Sequence, residues 1–217
     1  MCGIFGYLSD SNLTDKDIQN LYVQGNKIKH RGPDNTKCLQ VDNIYLMFHR
    51  LCINDLSEKG NQPMIIPQHP NIILLCNGEI FNYTEIQEAN QFNLYSKSDC
   101  EIIIHMYLKF GIEKTLEQLN GDYAFFLFDK NQNKKIIARD PFGVRSLYLG
   151  ETENKSIVFA SELKSLHKLC TKIEPFKPGT FVELINNSKT ITYIPFYHYN
   201  YKMIENFNLT EVTQTIK

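Results

Sequence analysis

The second half of the chain carries six short apolar runs of strand length. They are Tyr123 to Asp129, Lys135 to Arg139, Ser146 to Gly150, Ser156 to Ala160, Thr180 to Leu184 and Thr190 to Tyr193. Polar segments at Asn131-Gln132-Asn133 and Glu151 to Asn154 read as hairpin turns between neighbours. The first half adds strands at Cys2 to Leu8, Asn43 to His49 and Asn71 to Cys76. Helical spacing occurs in blocks. Asp15 to Lys29 places Ile18, Leu21, Tyr22 and Ile28 on one face, with Thr14 as N-cap. Ser98-Asp99-Cys100-Glu101 opens a helix that runs to about Phe110 and ends at Gly111. Glu162 to Leu169 reads as a short helix, and Gly32-Pro33 breaks regular structure after His30-Arg31. Strands in series with helices in blocks predict an α+β fold of sheets covered by helices, not alternating βαβ units.

A length of 217 residues suits one sizeable domain or two small ones. Hydrophobic residues make up 42% and charged residues 22%, as in ordinary globular proteins. The formal net charge of −1 gives no electrostatic reason to expect nucleic acid or an anionic membrane. Apolar stretches such as Ile72 to Cys76 are too short to span a bilayer. No signal-peptide pattern opens the chain, so a cytoplasmic location is expected. Cysteines 2, 38, 52, 76, 100 and 170 form no CxxC and no ligand spacing. Free thiols and no metal site are therefore expected.

After Pro195 the pattern weakens. Phe196 to Tyr201 is aromatic-rich, and Asn208-Leu209-Thr210-Glu211 looks like the first turn of a helix too short to stand alone. Residues 2–195 are expected to form one domain. Residues 196–217 are expected to be a linker and the start of a further domain.

Four groups could carry chemistry. Cys2 follows the initiator Met1 and precedes small Gly3, which favours Met1 removal. A thiol and a free α-amine would then share one residue, with unperturbed pKa values of about 8.5 and about 7.7–8.0. The amine could take the thiol proton directly or through one water. Taken alone, Cys2 reads better as a core residue of the first strand. Asn77-Gly78 at a strand end could supply two donors to a developing oxyanion; it is also a common turn dipeptide. Arg50 could bind a carboxylate in a bidentate pair and Asp99 an ammonium. Separately, a surface ion pair explains Arg50 better, and a helix-capping carboxylate explains Asp99 better.

Together these residues say more. Cys2-Gly3-Ile4-Phe5-Gly6, His30-Arg31-Gly32-Pro33-Asp34, His49-Arg50-Leu51, Asn77 to Asn82, Ser98 to Glu101, Gly121 to Phe125 and Arg139 to Tyr148 occur in that order. Phe159-Ala160-Ser161-Glu162 and Lys177-Pro178-Gly179-Thr180 extend the pattern. The set strongly resembles the class II glutamine amidotransferase domain over about residues 2 to 195. Within that class it looks most like the N-terminal half of glutamine-dependent asparagine synthetases.

The resemblance implies an N-terminal nucleophile hydrolase fold, a four-layer αββα sandwich with two antiparallel sheets. It implies hydrolysis of L-glutamine to L-glutamate and ammonia. Cys2 would be the nucleophile, and Asn77 and Gly78 the oxyanion hole. Arg50 would bind the α-carboxylate and Asp99 the α-ammonium. Backbone of Leu51, Cys52, Ile53 and Asn54, with Glu79, would line the pocket. Asn54 departs from the apolar residue usual at its position. Arg31 to Asp34 and Arg139 to Gly143 would be structural loops. The glutaminase half would need no cofactor. ATP and magnesium would belong to a synthetase domain or subunit that receives the ammonia and makes asparagine from aspartate. No Ser-Gly-Gly-x-Asp-Ser loop for such chemistry occurs in these residues. A homodimer is a further expected partnership. Two alternatives stay open: the glutaminase domain of another class II amidotransferase, and a non-catalytic glutamine-sensing module.

Overall fold

A computed structural model describes residues 1–185 and 191–198. The strands in order are β1 (Gly3–Leu8), β2 (Asn35–Val41), β3 (Ile44–Arg50), β4 (Ile72–Ile80), β5 (Gly121–Asp129) and β6 (Lys134–Arg139). There follow β7 (Tyr148–Glu151), β8 (Ile157–Ala160), β9 (Lys172–Pro175), β10 (Thr180–Ile185) and β11 (Ile194–Pro195). The helices are α1 (Asp15–Gly25), α2 (Tyr83–Asn90), α3 (Ile102–Phe110) and α4 (Ile112–Gln118).

Two antiparallel sheets result, with orders β2-β3-β1-β8-β7-β9 and β11-β10-β6-β5-β4. Alternation along each strand splits the core into layers. Ile73 and Leu75 of β4 and Ala124, Phe126 and Phe128 of β5 join Ile4, Leu46, Phe48 and Phe159 between the sheets. The opposite faces of the same strands, Leu74, Cys76, Tyr123, Phe125 and Leu127, pack with Ile103, Met106 and Leu116 of α3 and α4. Phe5, Tyr45, Met47 and Val158 face outward from the first sheet against Leu21, Ile28 and Leu166. Helix, sheet, sheet and helix thus form four layers. Burial on both faces is why these strands read as continuous apolar runs rather than alternating ones. Among the described residues no helix is long and apolar enough to cross a membrane.

Local chemistry sets the helix ends. Thr14 Oγ1 accepts the Asp17 amide at 3.3 Å, and the Asp17 carboxylate accepts the Thr14 amide at 2.9 Å. This capping box starts α1 where the sequence placed it. The expected single helix to Lys29 changes at Gly25 into a 3₁₀ turn over Asn26–Arg31. The helix expected from Ser98 is a 3₁₀ turn over Asp99–Glu101 followed by α3, and Gly111 ends it at φ +78°.

Other expectations shift. Glu162 to Leu169 holds only a 3₁₀ turn at Leu163–Ser165, followed by further turns. The strand expected at Thr190 to Tyr193 is displaced: Thr190 lies outside the described residues, Ile191 to Tyr193 are not strand, and β11 pairs Ile194 with Phe181. The expected helix start at Asn208 also lies outside the described residues. Strands β2 and β9 and helices α2 and α4 carry too little buried apolar surface to announce themselves. The burial of β2, an edge strand, is mostly exposed or intermediate, and Ile86 is the buried residue of α2.

The two sheets meet most directly at Phe126 of β5 and Phe159 of β8, stacked with centroids 4.9 Å apart and an interplanar angle of 25°. Both rings are fully buried. Phe159→Ala is expected to cost about 3–5 kcal/mol, read as a lower midpoint in urea unfolding. A loss below about 1 kcal/mol would show that this stack does not join the sheets.

Candidate active site

Strand pairing places the first two groups. Gly3 of β1 pairs with His49 of β3, so Cys2 lies beside the end of β3 at Arg50. The Cys2 thiol meets the Leu51 backbone: the Leu51 amide donates to Sγ at 3.3 Å, and Sγ lies 3.6 Å from the Leu51 carbonyl. The Cys2 carbonyl is held from the other side by Arg31 Nε at 2.9 Å. Arg31 is in turn fixed by Glu162 at 3.1 Å. Burial would push the Glu162 carboxyl up, but hydrogen bonds from Lys164, Arg31 and His30 bring it below its ordinary value.

The second pair sits on β4, at the edge of its sheet. In an antiparallel strand every second residue turns both its N–H and its C=O away from the neighbour. On β4 these are the even residues. Leu74 exchanges both bonds with Met64. Cys76 exchanges both with the Gln62 side chain, at 2.5 and 3.1 Å. The Ile80 amide donates to Asp99 Oδ2 at 2.7 Å. Gly78 has the same parity, its carbonyl faces Cys100 Sγ at 3.9 Å, and its amide has no partner among the described residues. A Cβ on Gly78 would lie 2.6 Å from the Asp122 carbonyl oxygen and 2.8 Å from Tyr123 Cα. Only glycine lets β4 and β5 approach this closely.

Asn77 adds a second free donor. The residue is 1% exposed, and Nδ2 has no hydrogen-bond partner among the described residues. A buried amide N–H left unpaired costs about 1–3 kcal/mol. Asn77 and Gly78 both line a cleft that Cys2 also lines.

Arg50 and Asp99 are both buried. Arg50 Nη1 donates to the Ser57 carbonyl and Asn61 Oδ1, each at 2.7 Å, and Nη2 donates to the Asp55 carbonyl. Nε and the second Nη2 hydrogen remain for a ligand. Gly60 makes the room, since a Cβ there would lie 2.5 Å from Nη2. Asp99 Oδ2 accepts the Ile80 amide, and Oδ1 accepts Asn54 Nδ2 at 3.0 Å. Its remaining lone pairs are available to a cation.

A cleft of about 580 Å³, counting its open mouth, collects Cys2, Arg50, Leu51, Ile53, Asn54, Asn77, Gly78, Glu79 and Asp99. Cys52 is the exception among the expected residues. It does not line the cleft, and its amide donates to Asp34 Oδ2 at 2.7 Å. Asn54 joins through its side chain on Asp99 as well as its position in the lining. Arg139 is structural as expected, binding the carbonyls of Arg145, Phe176 and Gly143 at 2.6–2.7 Å. Among the described residues no group of three or more His, Cys, Asp or Glu is placed to hold a metal ion.

Comparison with known proteins matches residues 1–215 to the family model described as a glutamine amidotransferase domain. The chain belongs to the class II glutamine amidotransferase family. A probable glutamine-hydrolyzing asparagine synthetase of Dictyostelium discoideum is 34% identical to the domain over 207 residues, covering 94% of this chain and 36% of that protein. Human glutamine-hydrolyzing asparagine synthetase is 35% identical over 211 residues, covering 91% and 37%. The amidotransferase domain thus spans about a third of the length of these curated relatives. A solved glutamine phosphoribosylpyrophosphate amidotransferase of B. subtilis superposes with a TM-score of 0.74 at 20% identity, covering 91% of this chain and 50% of that one. That likeness concerns the fold: two antiparallel sheets with four helices, as the sequence resemblance implied.

The amidotransferase cleft also contains residues to which the sequence assigned no part in the site. Asp55, Gly60, Gln62 and Cys76 line it, as do Ser98 and Cys100 of the Asp99 motif. Gln62 precedes Pro63 in an unremarkable loop, and its grip on β4 is visible only in three dimensions. Arg145 also lines the cleft. The Asp140 carboxylate sets its backbone by accepting the amides of Phe142, Val144 and Arg145, each at 3.0 Å.

Burial raises the Cys2 thiol above its ordinary value, against the Leu51 amide, the N-terminal charge and Arg50. In the chain that keeps Met1, a raised value means less thiolate at neutral pH. Alkylation of Cys2 by iodoacetamide should therefore reach half its maximal rate above the pH expected of a free thiol, about 8.5. A midpoint below that pH would contradict the burial of the thiol.

Proposed function

We propose that the domain hydrolyses L-glutamine to L-glutamate and ammonia with Cys2 as its N-terminal nucleophile. The unpaired Asn77 Nδ2 beside the unpaired Gly78 amide carries this reading. Idle donors in the same cleft as a thiol are what acyl transfer through a tetrahedral oxyanion requires. Removal of Met1 places the α-ammonium on Cys2 itself, closer to the thiol than in the longer chain, and so favours the thiolate.

In this reaction the Cys2 thiolate attacks the side-chain amide carbon of glutamine. The oxyanion rests on Asn77 and Gly78. The Cys2 ammonium protonates the departing nitrogen, and ammonia leaves a γ-glutamyl thioester. Water, deprotonated by the same amine, attacks the thioester and releases glutamate and the free thiol. Arg50 holds the α-carboxylate through Nε and Nη2, and Asp99 the α-ammonium. Leu51, Ile53, Asn54 and Glu79 shape the pocket between them. Two charged holds favour a free amino acid over an ordinary amide.

We further propose that the ammonia serves asparagine synthesis from aspartate and ATP by a synthetase domain or subunit. The activity for which these relatives are named supports this reading. ATP and magnesium would act there.

Glutamate release by the processed chain is the direct measurement. Cys2→Ala should abolish it, and undiminished release by that variant would end the proposal. Asn77→Ala should lower kcat by about 10²–10³-fold with a smaller change in KM. A chain made with Met1 retained, or with a residue fused to Cys2, should be inactive because the α-amine is tied up in a peptide bond. Full turnover by a chain shown by mass spectrometry to keep Met1 would exclude the amine as the base.

A further inference from the structure

Asp55 touches the supports of both proposed substrate holds. Its backbone carbonyl accepts Arg50 Nη2. Its Oδ1 accepts the Ser57 amide at 2.7 Å, which closes the turn whose next carbonyl, Ser57, accepts Arg50 Nη1. Its Oδ2 accepts the Lys97 amide at 2.9 Å, two residues before Asp99, and so ties its own loop to the segment that carries Asp99. The 95–98 segment is fastened from beyond by Glu101. That carboxylate accepts the Tyr95 and Ser96 amides at 2.7 Å and the Ser96 hydroxyl at 2.5 Å. Asp55 is itself buried and lines the cleft. Burial would push its carboxyl up, but bonds from Ser57 and Lys97 and the charge of Arg50 bring it below its ordinary value. It therefore stays an acceptor at neutral pH.

We propose that Asp55 is a positioning residue that fixes the separation of Arg50 and Asp99 and so sets selectivity for a free α-amino acid. The proposal rests on Arg50 and Asp99 being the carboxylate and ammonium holds. A carboxylate bound within its own loop only would steady that loop. One bound to both the Arg50 support and the segment leading to Asp99 sets the span that a zwitterion must match. Amides that carry just one of the two α groups make no use of that span.

The test uses the full chain with Met1 removed. Its substrates are glutamine, glutaramic acid, which lacks the α-ammonium, and 4-aminobutanamide, which lacks the α-carboxylate. Asp55→Asn keeps the size but puts an NH₂ where one backbone amide needs an acceptor. KM for glutamine should rise about tenfold or more, with kcat within about threefold, since Cys2 precedes β1 and Asn77 and Gly78 sit on β4, away from the Asp55 loop. The preference for glutamine over each analogue should shrink by a similar factor. Asp55→Glu keeps the charge and should recover part of both. If Asp55→Asn does not fold, Asp55→Glu decides by the same ratios. Unchanged preference, whether or not the unfolding midpoint falls, would make Asp55 a loop staple and overturn the proposal. A wild-type chain that does not prefer glutamine over either analogue would overturn the Arg50 and Asp99 assignment, and this proposal with it.

Discussion

β4 is an edge strand, and its outward backbone groups must find partners away from any neighbouring strand. Buried amides without partners are costly, so proteins satisfy nearly all of them. Here the partners come from scattered places. Met64 serves Leu74, Gln62 serves Cys76 and Asp99 serves Ile80. The site is built from these repairs. Asp99 is held where it is because it caps an edge amide, and the loop carrying Gln62 folds back to the cleft that Cys2 lines for the same reason. Gly78 is the outward position left open, next to the idle Asn77 amide. An edge that most proteins would cover becomes the wall of a cleft.

The opposite wall depends on antiparallel pairing. β1 starts where β3 ends, so the thiol of Cys2 and the guanidinium of Arg50 arrive together without any local sequence relation. The inter-sheet core, with Phe126 stacked on Phe159, holds the two walls at a fixed distance. Hydrogen bonds then fix the details. Arg31 turns the Cys2 carbonyl, Asp34 ties down Cys52, and Asp140 winds the loop that brings Arg145 to the cleft. Most of these acceptors are carbonyls or carboxylates whose partners lie far away in sequence.

Much of this was legible from residues alone. Strands buried on both faces announce themselves as apolar runs, and Thr14 and Gly111 mark helix ends by chemistry that acts within a turn. Elements with little buried surface were not legible. β2 offers the core only the partly buried Leu39 and Val41, and α4 begins directly after Gly111, where one helix appeared to end. The length of β4 was also underread. Asn77-Gly78 looks like a turn, yet both residues continue the strand, since the open edge lets an irregular pair remain extended.

The sequence by itself determined the family and singled out Cys2, Arg50 and Asp99 as candidates, because an ordered set of motifs carries that information without coordinates. The tertiary structure decided how those residues are used. It excluded Cys52 from the cleft, turned the Asn54 side chain onto Asp99, committed most of the Arg50 donors to a loop and recruited Asp55 and Gln62. The physical reason is that a side chain's partner is set by which backbone groups packing brings near it. Those groups lie on other strands and loops, where no local pattern records them.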